Sequence, residues 1–367
     1  MSEQRLARLR QQMQTSGLDA IALNPGATLL YLTGLSFHLM ERPTVLIITP
    51  DAQPALILPA LEMIKVESCP LALRAFAYDD NPASWPAAFH QAVTAAGLDG
   101  LKVGVEANRL RFLELQFLQD AAPRAQFTAA GSLLDELRLI KERAELEAMR
   151  RAVHIAQDAL SAVLSFMRVG ISEREIASEL LLQLLRAGSA AELPFAPIIS
   201  AGPNAANPHA APSDRRLQPG DLLVIDWGAS YGGYVSDLTR TFAIDPIEPE
   251  MRRIYDTVER ANAAGRKHAR PGIPAGEIDR VTRAVIEDAG YGACFTHRTG
   301  HGLGMEGHEP PYIFAENERL LEPGMTFTIE PGIYLPGRNG VRIEDNIVIT
   351  DSGAESLSDF SRELQIL

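Results

Sequence analysis

Leu6, Leu9 and Met13 recur at spacings of three and four within residues 4–16, and Gly17 follows at once. This pattern predicts an amphipathic helix with one buried face and a glycine stop. Four short apolar runs come next, DAIALNP, YLTGL, TVLIITP and PALILPA, each bounded by Pro, Gly or Asp. Runs of this length between turn residues read as strands. AAFHQAVTAAGL then reads as a helix, KVGVEA as a strand and RLRFLELQFLQDAA as a helix again. Alternating elements over this span predict an α/β domain of ordinary size.

After Gly131 the pattern changes. Residues 134–167 are rich in Leu, Ala, Glu, Lys and Arg, with few breakers, and predict one or two long helices. The domain division is placed there, as 1–133 and 134–367. Ser172 with Glu175 three residues on forms a capping-box signature for a helix that stops at Gly188. An apolar run, PFAPIIS, and a loop containing His209 lead into two hairpin patterns, with helices over 249–268 and 275–289 between them.

Composition narrows the function classes. Hydrophobic residues at 46% and charged residues at 22% are ordinary for a globular chain. A formal charge of -13 argues against nucleic acid and against an anionic membrane surface. Cys69 and Cys294 stand in unrelated contexts, so neither a disulfide framework nor a thiolate metal site is expected. The N-terminal segment has no apolar core of a signal peptide and no apolar run is long enough to span a bilayer, so a cytoplasmic protein is expected.

The chemistry gathers around His297-Arg-Thr-Gly-His301-Gly-Leu-Gly-Met-Glu-Gly-His308-Glu-Pro-Pro. Glycine permits φ > 0 and close approach of other groups, so histidines set among glycines suit a ligand site as well as an inert loop. Two pairs of acids on the hairpins bear on the choice. In DLLVIDWGASYGGYVSDLTRTFAI, a turn centred between Tyr231 and Gly232 sets Asp226 opposite Asp237. In MTFTIEPGIYLPGRNGVRIEDNIVIT, a three-residue loop at 336–338 sets Glu330 opposite Glu344, with Pro331 and Gly332 inviting a bulge. Opposed carboxylates on apolar strands repel and need a cation. Arg240 and Arg342 could supply it as structural ion pairs. Two divalent ions held by four carboxylates and one imidazole are the other solution, and an oxygen-rich set favours Mn²⁺ or Co²⁺ over structural zinc.

The motifs Asp226-x-Gly, Ser-Asp237-x-Thr-Arg-Thr-Phe, Gly-His301-Gly-Leu-Gly, His308-Glu-x-Pro, Ile-Glu330-Pro-Gly-Ile-Tyr and Gly-Val-Arg-Ile-Glu344-Asp together resemble the pita-bread metallopeptidases. The resemblance is to their proline-specific branch, Xaa-Pro dipeptidase (prolidase) and aminopeptidase P. It runs through the C-terminal domain and extends more loosely into a creatinase-like N-terminal domain. It implies an α/β (α+β) chain with Asp226, Asp237, His301, Glu330 and Glu344 as dinuclear ligands, Asp237 and Glu344 bridging. Glu330 would be general base and then acid, while His209 and His308 hydrogen-bond the substrate and its tetrahedral oxyanion. His297 would lie beside the substrate pocket and Arg342 would orient a carboxylate from behind the ligands. Two Mn²⁺ ions are expected, Co²⁺ or Zn²⁺ being alternatives.

One position departs from the family. Many of its dipeptidases carry an arginine shortly after His-Glu-x-Pro, where it can meet the substrate's C-terminal carboxylate, and here Tyr312 stands there. Arg42, in SFHLMERP, is the candidate replacement, reaching over from the partner of a homodimer, or else it pairs with Glu41 or another local acid. The expected function is hydrolysis of the Xaa-Pro bond in short proline-containing peptides, dipeptides favoured. Aminopeptidase P activity is the alternative. A non-peptide amidohydrolase and a silent peptide-binding module are the remaining ones.

Overall fold

The first helix spans Ser2–Thr15 and buries Leu6, Leu9 and Met13 on one face, with Gly17 beyond its end at φ 64. The computed structural model describes residues 2–367. They divide into two units, one running to Arg138 and the other Leu139–Leu367.

The first unit is built on a six-stranded mixed sheet. Its order is Arg74–Tyr78, Ala55–Pro59, Val45–Ile48, Ala20–Leu23, Lys102–Val105, Gln126–Ala129. The middle strands carry the apolar runs seen in the sequence and are buried almost throughout. The two edge strands were not foreseen, because their half-exposed positions lack a continuous apolar run. Helices Trp85–Ala96 and Phe112–Ala121 cover one face, with Phe89 and Phe117 rings 5.0 Å apart.

The run YLTGL is not a strand. It ends the helix Ala27–Thr33, where Gly34 at φ 73 closes the last turn by donating its N–H to Leu30 O. Nearly every residue of this helix is buried. Its apolar pattern therefore shows no 3.6-residue period to separate helix from strand.

In the second unit, the breaker-poor stretch forms two helices, Gly131–Leu139 running into it and Arg143–Leu164 within it. Ser172 caps Glu173–Ala187 through the capping box with Glu175, and Gly188 closes it at φ 103. Arg143–Leu164 and Glu173–Ala187 pack on a four-stranded sheet of order Gln365–Ile366, Leu238–Ala243, Leu222–Trp227, Ile198–Ala201. Pro249–His268 and Ala275–Asp288 cover a five-stranded sheet of order Glu309–Ile313, Gly300–Gly302, Thr326–Ile329, Asp345–Ile349, Ala354–Ser356. The two sheets are joined by an antiparallel bridge between Thr239 and Glu344.

The first hairpin has a different register from the expected one. Gly232 and Gly233 both take positive φ, at 60 and 83, so the two-residue turn is centred between them. Tyr234 then faces Tyr231, and Asp226 faces Thr239 rather than Asp237. The shift is two residues along the partner strand, which preserves the face, so both aspartates still point the same way. The second hairpin keeps its expected frame, Leu335 facing Asn339 and Ile329 facing Asp345. Its strands break at Glu330-Pro331 and at Ile343-Glu344, so both acids lie where regular pairing lapses.

Candidate metal centre

Each acid sits at a strand end. Asp226 lies near the end of Leu222–Trp227, Asp237 just before Leu238–Ala243, Glu330 just after Thr326–Ile329, and Glu344 just before Asp345–Ile349. His301 is the middle residue of Gly300–Gly302. A Cβ at Gly300 would lie 2.0 Å from Thr328 O, and one at Gly302 would lie 2.2 Å from Pro310 O. The strand therefore runs too close to its neighbours for its flanking residues to carry side chains. Gly300, Gly302, Gly304 and Gly307 are absent from the positive-φ positions, so close approach and not backbone bending is what this segment needs.

His301 presents one nitrogen to the acids. Its Nδ1 lies 3.1 Å from Gly302 O and donates to it, leaving Nε2 3.3 Å from Glu330 Oε1 and 3.6 Å from Asp237 Oδ2. Burial, with His308 adding to it, pulls its pKa down to about 3. A neutral imidazole with a free Nε2 lone pair is a metal-ligating form.

The carboxylates are held from behind. Thr239 Oγ1 donates to Glu344 Oε2 at 2.7 Å, and Thr328 Oγ1 to Glu330 Oε1 at 3.2 Å. Arg342 Nη2 meets Asp226 Oδ2 at 2.6 Å, while the buried Asp226 Oδ1 accepts no hydrogen bond. Ligand atoms of Asp226, Asp237 and Glu344 lie within 4.8 Å of one another, as do those of His301, Glu330 and Glu344. Glu344 is common to the two triads. Burial first, then the neighbouring carboxylates, raises Asp237 and Glu344 well above the ordinary carboxylate range. Glu330 is pushed up to about 7, burial again leading.

The two arginines considered as neutralising partners have separate roles. Arg240 pairs with Asp345 at 2.9 Å, which also holds Arg362, and these cations bring Asp345 down to about 2 against the effect of burial. Only Arg342 touches the cluster, at one oxygen of one acid. Four converging carboxylates with one guanidinium and an orphaned acceptor remain short of positive charge, and a pair of divalent cations fits that donor set.

The other candidates have their own surroundings. His308 is exposed, its ring centroid 3.8 Å from that of His301. Burial lowers its pKa, and the charges of Arg298 and His209 lower it further. His209 is exposed on its loop, where its N–H donates to Asn207 Oδ1. His297 has both ring nitrogens engaged, Nδ1 with Arg298 O at 2.7 Å and Nε2 with Tyr334 Oη at 2.8 Å, and burial lowers it to about 4. Tyr334 in turn accepts from Arg342 Nη1 at 2.9 Å. This chain runs from His297 through Tyr334 and Arg342 to Asp226, and ties His297 to the carboxylate cluster. Tyr312 lies under the guanidinium of Arg298, 4.5 Å from its ring centroid. Arg42, in the first unit, is bound to Asp80 at 2.6 Å and Glu41 at 3.0 Å.

Thr239, Thr328, Tyr334, Arg298 and the pair Lys141–Glu309 were not singled out from sequence. Tyr334 ends the Ile-Glu-Pro-Gly-Ile-Tyr motif, and Gly332 leaves the room that its hydroxyl occupies, since a Cβ there would lie 2.4 Å from it. Lys141 and Glu309 are far apart in sequence, and nothing local marks either.

Residues 147–351 match the model of metallopeptidase family M24, and residues 5–140 match that of the creatinase/prolidase N-terminal domain. The chain is 36% identical to a Xaa-Pro dipeptidase of Lactobacillus delbrueckii subsp. lactis, over 99% of this chain and 98% of that protein. Among solved structures, a dipeptidase from Pyrococcus horikoshii OT3 superposes with a TM-score of 0.93 at 36% identity, covering 99% of this chain and 100% of the other. A recombinant prolidase from Thermococcus sibiricus gives 0.93 at 33% identity, covering 100% and 99%.

Proposed function

The chain belongs to metallopeptidase family M24, and from that membership we propose that it hydrolyses the Xaa-Pro bond of dipeptides. The observation that carries the reading is the convergence of Asp226, Asp237, His301, Glu330 and Glu344, with Asp226 Oδ1 left without a hydrogen-bond partner among the described residues. The similarity to a Xaa-Pro dipeptidase and a prolidase over nearly the full chain supports the substrate class.

Asp226, Asp237, His301, Glu330 and Glu344 would hold two divalent ions, and Mn²⁺ is proposed because oxygen donors dominate. Such ions polarise a carbonyl and make water acidic enough to attack near neutral pH. Glu330 takes a proton from the attacking water and delivers it to the proline nitrogen as the C–N bond breaks. His308 and His209, both exposed beside the centre, donate hydrogen bonds to the peptide and to the oxyanion as it forms. The chain His297–Tyr334–Arg342 holds Asp226 in place while this happens. Arg42 is already engaged by Asp80 and Glu41, which favours its reading as a local ion-pair member.

The test is an assay of metal-depleted protein reconstituted with Mn²⁺, on Leu-Pro beside Leu-Pro-Pro. Metal-dependent cleavage of Leu-Pro is expected. Preference for the tripeptide would replace this reading with aminopeptidase P activity, and no metal-dependent cleavage of either would overturn both.

A further inference from the structure

Residues 295–299 lie in no strand or helix, yet Phe295 and Thr299 are buried, so their backbone groups need partners from elsewhere. Two side chains of one helix supply them. On Ala275–Asp288, Asp279 and Arg283 stand four apart, joined from Nε to Oδ2 at 3.1 Å and from Nη2 to Oδ1 at 3.1 Å. Arg283 donates onward to Phe295 O at 3.0 Å and to His297 O at 2.8 Å, and its guanidinium lies 4.2 Å from the ring centroid of Phe295. Asp279 Oδ1 accepts from Thr299 N at 3.0 Å, an N–H that it shares with Ile313 O at 3.0 Å. The helix thus holds the segment at 295, 297 and 299 through a carboxylate that is 1% exposed.

What the segment leads to gives this contact its weight. Thr299 O accepts from Glu330 N at 2.8 Å, and His301 follows two residues on, its own N–H donating to Thr328 Oγ1 at 3.1 Å. Thr328 Oγ1 in turn bonds Glu330 Oε1. His301 and Glu330, remote in sequence, are therefore registered against each other at Thr299, with Nε2 and Oε1 3.3 Å apart. Ligand groups have to be held to within about 0.5 Å of their working geometry, and the partners behind them do the holding. We propose that Asp279, supported by Arg283, is a positioning residue for the metal centre: its bond to Thr299 sets the place of His301 relative to Glu330. The proposal rests on the reading of His301 and Glu330 as metal ligands, and puts part of their control on a helix outside every ligand motif.

The test uses the full-length protein as wild type, Asp279→Ala, which removes the acceptor, and Asp279→Asn, which keeps one oxygen for Thr299 and gives up the charge. In metal-free D279A, hydrogen exchange read by mass spectrometry should quicken at peptides covering 297–301 and 329–331 more than elsewhere. Mn²⁺ affinity by calorimetry should fall about 10-fold or more, and kcat on Leu-Pro should fall with KM little changed. D279N should recover part of all three. Glu277→Gln, which loosens only the pair with His268 on the same helix, should leave all three as in wild type. A lowered melting temperature with Mn²⁺ affinity and kcat kept would overturn the proposal. So would equal losses in D279A and D279N, which would trace the effect to the charge and not to the bond with Thr299. Should D279A not fold, D279N decides, intermediate values supporting the proposal and wild-type values overturning it. Were wild type to cleave no Xaa-Pro peptide while D279A still weakened Mn²⁺ binding, the substrate reading would fail and the positioning role would stand. Cleavage of Leu-Pro with wild-type kcat and Mn²⁺ affinity in D279A would do the reverse.

Discussion

Lys141 Nζ stands 2.6 Å from Glu309 Oε1, with the two side chains 1% and 4% exposed. Glu309 directly follows His308, and Lys141 sits in the break between helices Gly131–Leu139 and Arg143–Leu164, where its own N–H donates to Gly324 O. The pair therefore clamps the start of the strand that follows His308 to the segment between the two helices. A buried pair of this kind is costly to halve, because the surviving charge loses its counter-ion. Lys141→Met should destabilise the protein by about 3–5 kcal/mol, and the double variant Lys141→Met with Glu309→Leu by clearly less. Chemical denaturation of the two variants checks it. Equal losses in single and double variants would mean that the lysine stem, and not its charge, matters.

Without metal, the acids of the centre should make stability depend on pH. Asp237, Glu344 and Glu330 are raised by burial and by one another, Glu330 to about 7 from an ordinary 4.5. Between those values the folded state keeps protons that the unfolded chain has released. The stabilisation is complete below the unfolded value and is lost as pH rises through the folded one. Chelator-treated protein should therefore melt several degrees lower at pH 7.5 than at pH 5.5, and Mn²⁺ should restore the melting temperature at the higher pH. A flat profile in the chelated protein would show that the acids are already neutralised by something other than metal.

Much of this cluster was legible because its proposed ligands are embedded in local motifs: Gly300-His301-Gly302, Ile329-Glu330-Pro331 and Ile343-Glu344-Asp345 can each be read in place. The hairpin reading placed Asp226 and Asp237 on one face despite a two-residue error, since strand faces repeat every two residues. The correct frame was available in Gly232-Gly233, a two-residue turn signature that outweighs Tyr231. The helix Ala27–Thr33 was misread for the opposite reason, being buried almost all round and so without a period. Lys141–Glu309 and the bond of Thr239 to Glu344 join residues remote in sequence, and no local pattern encodes such a contact.

Arg342 offers a test of the support behind the ligands. It donates to Asp226 Oδ2, Tyr334 Oη and Thr239 Oγ1, and Thr239 passes a bond on to Glu344. One guanidinium thus fixes the orientation of two acids without being one of the proposed ligands. Arg342→Met should lower Mn²⁺ affinity by about 10- to 100-fold, as loss of an outer partner commonly does. Tyr334→Phe, which removes the hydroxyl that links His297 to Arg342 but leaves the bond from Arg342 to Asp226, should cost less. Metal titration followed by activity and by calorimetry distinguishes the two. Unchanged affinity in the Arg342 variant would reduce it to a packing residue.

His301 and His308 have ring centroids 3.8 Å apart, yet their surroundings differ. His301 is 3% exposed, donates through Nδ1 to Gly302 O and turns Nε2 toward Glu330 and Asp237. His308 is exposed on the edge of the same cluster. Its own ligand atom falls within reach of Asp237 and His301, so geometry alone would admit it as a ligand. We propose His301 as the ligand and His308 as the donor, because His301 is buried and also groups with Glu330 and Glu344 while His308 is exposed. His301→Ala should therefore remove a metal equivalent and abolish activity together. His308→Ala should keep both metals and lose about 10²–10³ in kcat, the cost of one oxyanion donor. Metal content by elemental analysis beside kcat separates the cases. Loss of metal from the His308 variant would make it a ligand and leave His209 as the donor to the oxyanion.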